Sequence, residues 1–504
     1  MMFGWLEMHP VLSERLAMIQ GIQRTILSFV IAWFCLIHVF SGTSQAADAP
    51  RNVVVIVVDD MGKTLGAYGD KVARTPRLDE LAREGITFDR AFCTTASCSA
   101  SRSVILTGLH NHANGQYGHE HSYHKFSTKE NVQSLPVLLK AGGYRTARIG
   151  KFHVAPEEVY AFDEALKGNS RSPVEMADNC RKFIAAGDGD SKKASEPFFL
   201  YYCTSDPHRG GGFANELPHK PDRFGNKPTG QPDYPGIKTE TFKPADMVVP
   251  PFLPDTPECR AELAQYYQAV NRVDQGVGRL IDILKETGQY ENTLIIFISD
   301  NGIAFPGSKT TLYEPGMCLP AIMRFPQQKE RGSRSSAMIS WVDLVPSILH
   351  FAKVTPKENV KFHGKSFMAL ADDVKAKGFN EVLASHTFHE ITMYYPMRVL
   401  REERYKLMWN IAWKLDYPFA SDLWESPTWQ SVITKQASLY GKRTVEAYLH
   451  RAKFELYDLE KDPDEIDNLA EKPEFKDTLL RMQTRLKQLE KQTQDPWILK
   501  WDYE

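Results

Sequence analysis

Val53-Val54-Val55-Ile56-Val57-Val58, running directly into Asp59-Asp60, decides the fold of this chain. An unbroken apolar, β-branched run of this length reads as a strand buried on both faces. Thr293-Leu294-Ile295-Ile296-Phe297-Ile298 repeats the pattern far downstream. Arg145 to Gly150 and Pro197 to Cys203 read as two more strands. Between them lie helical stretches. Thr75 to Gly85 turns Leu78, Leu81 and Ala82 inward and stops at Gly85. Ser134 to Ala141 is a shorter helix. Leu263 to Thr287 repeats Leu263, Tyr267, Val270, Val273, Val277, Leu280 and Leu284 at helical spacing. Strands alternating with helices predict an α/β domain on a mainly parallel sheet. Beyond about residue 370 the texture changes to aromatics, Met and charge without βαβ units. A smaller α+β domain is expected there, closing on a helix over Pro473 to Thr493.

The chain has 504 residues and a formal charge of −2, so no basic field argues for nucleic acid. Its 32 Gly and 30 Pro follow no period, which fits a loop-rich globular enzyme. Arg24 precedes an apolar run from Thr25 to Phe40, which leads into Ser44-Gln45-Ala46. A positive flank, an apolar core and a small-x-small end read as a secretory signal peptide over 1–46. The run is short for a membrane span and contains His38. The expected location is therefore exported, periplasmic or secreted. Cys93, Cys98, Cys180, Cys203, Cys259 and Cys318 remain after cleavage. They show no framework spacing, so no disulfide is expected.

In an open α/β sheet, ligands bind beyond the carboxyl ends of the strands. Four predicted strands end in chemistry: Asp59-Asp60, Gly150-Lys151-Phe152-His153, Ser205-Asp206-Pro207-His208-Arg209 and Ser299-Asp300-Asn301-Gly302. Asp59, Asp60, Asp300 and Asn301 offer oxygen donors only. Adjacent carboxylates behind apolar strands repel unless a cation lies between them, and such donors suit Ca²⁺ or Mg²⁺ rather than Zn²⁺. Arg102, Lys151, His153, His208 and Lys309 would surround that metal with positive charge, a setting for phosphate, sulfate or sulfamate. Cys98-Ser99-Ala100-Ser101-Arg102 adds a thiol just ahead of a predicted helix, with Arg102 one turn later on the same face. A lone cysteine is more often a small buried hydrophobe than a nucleophile. The strand-end clusters are what favour a chemical role here.

Cys98 to Arg102 with Leu106-Thr107-Gly108 resembles the sulfatase signature. Asp59-Asp60, Gly150 to His153, Asp300-Asn301-Gly302 and Glu455 to Leu459 with Asp462-Pro463 resemble further motifs of that family, in the family's order. The resemblance runs from Arg51 to the C-terminus. Ser205 to Arg209, Arg272 to Gly278, Ser299 to Pro306, Thr311-Leu312-Tyr313, His389 to Met393 and Tyr395-Pro396-Met397-Arg398 resemble its sulfamidase branch, the N-sulfoglucosamine sulfohydrolases.

The resemblance implies an alkaline-phosphatase-like fold. A large mixed, mainly parallel sheet flanked by helices would occupy 48–372, and a C-terminal α+β subdomain with a short antiparallel sheet 373–504. It implies that Cys98 is oxidised to Cα-formylglycine, whose hydrate attacks sulfur, forms a covalent sulfo-enzyme and then expels sulfate. One Ca²⁺ would be held by Asp59, Asp60, Asp300, Asn301 and the modified Cys98. Arg102 and Lys151 would hold the diol, His153 would take a proton during sulfate release, His208 would protonate the leaving group, and Lys309 would bind a sulfate oxygen. Asp206, Arg209, His389, Glu390 and Arg398 are expected to contact substrate. The implied partners are a sulfated glycan of heparan type, a formylglycine-generating maturation enzyme and a second copy in a homodimer. Two departures stand out. Ala100 occupies a position where the family usually has Pro, and the loop after Arg209 lacks the cysteines associated with sulfamidases. Rival readings are an O-sulfatase on another polysaccharide, a phosphonate or phosphodiester hydrolase, and a glycan-binding protein with an unconverted Cys98.

Overall fold

The computed structural model describes residues 51–185, 196–210, 223–227 and 231–503. The expected signal peptide at 1–46 lies outside the described residues, as do 211–222 and 228–230 of the loop after Arg209. In chain order the main sheet and its helices are β1 (Asn52–Val58), α1 (Pro76–Glu84), β2 (Ile86–Phe92), α2 (Cys98–Thr107), α3 (Leu135–Ala141), β3 (Arg145–Gly150), β4 (Glu164–Leu166), α4 (Pro173–Ile184), β5 (Phe198–Cys203), α5 (Pro257–Glu286), β6 (Thr293–Ser299), β7 (Cys318–Leu319), β8 (Ala321–Arg324), β9 (Ser333–Ser340) and α6 (Leu344–Ala352). Among the described residues these nine strands form one sheet in the order β4-β3-β5-β1-β6-β8-β2-β7, with β9 added on β2.

The left half, β4 to β6, is parallel throughout. On the right, β8 runs antiparallel to both β6 and β2, and β7 antiparallel to β2. The expected mixed, mainly parallel sheet is what forms. Every residue of β1, β5 and β6 is buried, as their unbroken apolar runs require. Register does the positioning. Val57 pairs with Cys203, Val58 with Ser299 and Gly150 with Cys203, so β3, β5, β1 and β6 end in one row.

α5 starts at Pro257 rather than Leu263, because the Thr256 hydroxyl accepts from the Cys259 N–H at 3.2 Å and caps it. From inside α5, Asp274 accepts from the Leu78 N–H at 2.7 Å and so caps the first turn of α1. β2 breaks its apolar pattern with Asp89-Arg90, and β7 and β8 are short, which is why they carry no strand signal in the sequence.

The second sheet is antiparallel: β10 (Glu381–His386), β11 (Met397–Glu402), β12 (Tyr405–Asn410) and, after a small hairpin of β13 (Leu439–Tyr440) and β14 (Arg443–Thr444), β15 (Phe454–Asp458). Helix α7 (Lys476–Gln492) covers it through Met482 and Leu486, which pack on Leu400, Leu407, Trp409 and Leu456. Both sheets belong to one compact unit, Arg51–Glu504, so the expected division at 372/373 falls between two sheets of a single unit.

Candidate active site

Asp59 and Asp60 leave the end of β1, and Asp300 and Asn301 leave β6 beside them. All four are buried. Asp60 sits at φ +59°, a left-handed conformation that non-glycine residues avoid. The turn is held by its N–H, which donates to Asp300 Oδ1 at 3.1 Å, and by the Asn301 amide, which donates to Asp60 Oδ1 at 2.5 Å. β3 delivers Lys151, whose ammonium donates to Asp59 Oδ2 at 2.5 Å. His153 follows, also at φ +59°. Strained backbone at two strand ends of one row is the pattern of a functional site.

Cys98 is the first residue of α2, and the whole helix is buried. Its Sγ lies 3.6 Å from Asp60 Oδ1. One turn on, Arg102 Nε donates to Asp300 Oδ2 at 2.9 Å, and its Nη1 to the Lys151 carbonyl at 3.0 Å. The i, i+4 spacing therefore puts thiol and guanidinium on the carboxylate side together. Ala100 sits in the same turn, where its carbonyl accepts from Ser103 Oγ at 2.7 Å and Asn111 Nδ2 at 2.9 Å. Lys309 closes the far side: its ammonium donates to Asp60 Oδ2 at 3.0 Å, lies 3.3 Å from His208 Nε2, and donates to Asp422 Oδ2 at 2.9 Å.

Burial opposes ionisation of Asp59, but Lys151 and Arg102 outweigh it and hold the carboxyl at about 2. Burial raises Asp300 to about 7, Arg102 resists, and the neighbouring Asp59 and Asp60 push the same way as burial. Asp60 is raised by burial and by Asp59, against Lys309. The Cys98 thiol is pushed well up by burial and by Asp60, so the unmodified side chain is a protonated thiol rather than a thiolate nucleophile. Burial, with Lys309 and Lys151, keeps His208 neutral, and burial with Lys151 does the same for His153.

The donor set fits a hard cation. Asp59 Oδ1 and Asn301 Oδ1 are buried and take no hydrogen bond within the protein. Asp59, Asp300 and Cys98 each turn one ligand atom to within 4.8 Å of the other two. Unpartnered buried oxygens beside crowded carboxylates are what a Ca²⁺ ion satisfies.

Not every expected substrate residue faces this space. Asp206 is enclosed by Arg272 (2.8 and 3.0 Å) and Arg171 (2.8 Å), and its carbonyl accepts from the Asp59 N–H at 3.2 Å. Arg209 pairs with Glu262 in the interior and donates to the Ala304 carbonyl. Arg398 pairs with Asp495, Nη2 to Oδ1 at 2.9 Å, with no exposed surface. The charges of these three residues are satisfied inside the protein, where they brace the framework. His389 and Glu390 lie closer to the chemistry. His389 Nδ1 is 2.9 Å from Ser97 Oγ, next to Cys98, and Glu390 accepts from Ser421 N–H and Oγ at 2.8 and 2.6 Å, next to Asp422. Sequence reasoning missed Asp422, which carries no motif, and it missed His119 and His121. Their signal was the density of histidine in Gly118-His119-Glu120-His121-Ser122-Tyr123-His124.

A family model described as Sulfatase matches residues 51–354. The chain belongs to the sulfatase family. A second model, N-sulphoglucosamine sulphohydrolase, C-terminal, matches residues 307–437. Human N-sulphoglucosamine sulphohydrolase is 37% identical over 467 residues, covering 89% of this chain and 91% of that protein. An ulvan-active sulfatase of Formosa agariphila is 27% identical, covering 86% of this chain and 74% of its own length. A solved structure of a protein in complex with its substrate D-glucosamine-2-N,6-O-disulfate has a TM-score of 0.63 at 20% identity, over 89% of this chain and 99% of that one. The phosphonate monoester hydrolase of Agrobacterium radiobacter shares the fold at a TM-score of 0.62 and 17% identity, over 88% of this chain and 96% of that one. This sulfatase is thus a hydrolase of sulfate esters or sulfamates, in a family that generally uses formylglycine and a divalent metal.

Proposed function

We propose that this sulfatase is an exported sulfamidase that removes sulfate from N-sulfated glucosamine of heparan-like glycans, using formylglycine at position 98 and Ca²⁺. One observation carries the reading. The region matched by the N-sulphoglucosamine sulphohydrolase C-terminal model, 307–437, contributes Lys309, His389, Glu390 and Asp422 around the Cys98 carboxylate cluster. The segment matched by that model thus lies against the carboxylate cluster.

As formylglycine, residue 98 supplies a geminal diol, one hydroxyl for attack on sulfur and the other for release of sulfate. Asp59, Asp60, Asp300 and Asn301 would hold the Ca²⁺, which would supply Lewis acidity to that hydroxyl and neutralise the carboxylate cluster. Arg102 and Lys151 orient the diol and face the incoming anion. Lys309 binds a sulfate oxygen, and such fixed charges stabilise the transition state without reorganisation. His208 donates its proton to the leaving nitrogen. The negative charge of the substrate offsets Lys309 and lets His208 carry that proton. His153 accepts the proton lost when sulfate departs. Asp206, Arg209 and Arg398, each paired inside the protein, keep these groups in place from behind.

Two measurements test the reading. Mass spectrometry of the peptide spanning residues 90–110 from the native host should show a loss of about 18 Da, the change from thiol to aldehyde. The purified enzyme with calcium should release sulfate from N-sulfoglucosamine faster than from sugar O-sulfates or phosphodiester probes. Release from O-sulfates alone would make it an O-sulfatase. An unmodified thiol would make it a binding protein.

A further inference from the structure

Beside the carboxylate cluster lies a second group of ligating side chains that the proposed chemistry uses only in part. His119, His121 and His153 each turn one ring nitrogen to within 4.8 Å of the other two. Their ring centroids are 4.8, 4.9 and 4.7 Å apart. His121 Nδ1 and His153 Nε2 are 2.6 Å apart. We propose that His119, His121 and His153 form a regulatory site for a borderline transition metal, Zn²⁺ foremost, distinct from the oxygen-lined site for the hard cation.

Four observations carry this. The donors are three imidazoles without a carboxylate or carbonyl, a set that suits Zn²⁺, Cu²⁺ or Ni²⁺ and not Ca²⁺. Tetrahedral Zn²⁺ with Zn–N bonds of about 2.0–2.1 Å needs ligand nitrogens about 3.4 Å apart. The three nitrogens already lie within 4.8 Å of one another, and His121, which is exposed, has room to turn off its 2.6 Å contact with His153. His153 Nδ1 is buried and takes no hydrogen bond within the protein. Finally, the outer support that orients a metal-bound imidazole is already built. His119 Nε2 contacts His389 Nε2 at 3.0 Å, and His389 is anchored on Ser97. Burial, and then the neighbouring histidines and lysines, keep His119 and His153 unprotonated, and burial and Lys151 depress His121 in the same direction. The rings are therefore neutral, the form that ligates a metal, and a metal would replace the contact between His121 Nδ1 and His153 Nε2.

Three protein ligands leave a fourth position for water. The consequence for turnover rests on the role proposed above for His153: a metal on that ring removes the proton acceptor for sulfate release, so Zn²⁺ inhibits. Binding itself does not depend on that role, and the test reads it separately. Full-length Cys98→Ser protein, which lacks the thiol that could capture zinc, is saturated with Ca²⁺ and titrated with Zn²⁺ against a chromophoric chelator. One Zn²⁺ should bind per chain. His121→Ala in the same background should weaken it at least about tenfold, the lower end of what the loss of mere outer-shell partners costs. Co²⁺ in place of Zn²⁺ should give visible d–d bands that His121→Ala abolishes. In the enzyme with Cys98 intact, His121→Ala should lose inhibition by Zn²⁺ relative to its own zinc-free turnover. Equal zinc affinity with and without His121, or zinc that Ca²⁺ displaces, overturns the site. If zinc binds through His121 but does not inhibit, the site stands and the role assigned to His153 fails.

Discussion

At the scale of the residue, the candidate site is a balance of buried charges. Arg102, Lys151 and Lys309 face Asp59, Asp60 and Asp300, yet Asp300 still sits near 7 and two donor oxygens stay unpartnered. Metal binding should therefore stabilise the fold as well as serve catalysis. Ca²⁺ at a hundred times its Kd should add about 2.7 kcal/mol, visible as a raised Tm. Asp300→Ala should lose that increment together with activity, and an unchanged calcium-induced rise in Tm would remove Asp300 from the metal site. Gly150 is a second single-residue constraint. It lies at φ +82°, where a Cβ would run into the Cys203 carbonyl and the Met176 side chain. Gly150→Ala should cost at least about 2 kcal/mol, combining left-handed strain with backbone displacement beside Lys151. Chemical denaturation measures this, and a cost within experimental error would mean that β3 can shift without disturbing the site.

At the scale of the element, what the sequence disclosed depended on how each segment is buried. β1, β5 and β6 were legible because parallel strands covered on both faces must be largely apolar, and their polar endings, with that of the half-buried β3, then marked the candidate row. β2, β7, β8 and β9 were not, because partly exposed or very short strands carry no periodic signal. Charged residues misled for a related reason. A surface arginine and a buried, paired arginine look alike in sequence, and the partner of Arg398 is Asp495, 97 positions away. That pair ties β11 to the segment after α7, with Trp497 stacked on the guanidinium at 4.7 Å. Removing one partner of a buried pair strands the other charge, so Arg398→Ala should destabilise by about 3–5 kcal/mol. KM of the folded fraction should stay unchanged. A large rise in KM with an unaltered Tm would return Arg398 to the substrate.

At the scale of the whole molecule, the junction between the segment after α2 and the C-terminal elements is built from neutral histidines. His110, His112 and His363 have ring centroids 5.3–5.6 Å apart, and His112 Nδ1 lies 3.4 Å from Asp495, the partner of Arg398. Burial is the main cause of their depression. Arg398 and His363 add to it at His112 against Asp495, which leaves His112 and His363 at about 4. A histidine held below its unfolded value of about 6.5 takes up its proton in the unfolded chain first. Its contribution to stability is full above pH 6.5 and is lost as pH falls towards 4. Buried carboxyls act in the opposite sense. Asp274 and Glu490 at about 7 and Asp343 at about 6, all raised chiefly by burial, hold protons more tightly in the folded state and gain stability as pH falls. The Tm of the wild type alone therefore mixes two trends, and a variant is needed to separate them. His363→Gln keeps an acceptor for the His110 N–H, which His363 Nδ1 now accepts at 3.2 Å, and removes one titrating ring. Between pH 7.5 and pH 5 the wild type should lose on the order of 1 kcal/mol relative to this variant. A stability difference that stays constant across that range would show that His363 titrates alike in the folded and unfolded chains, and that the junction is not a source of acid sensitivity.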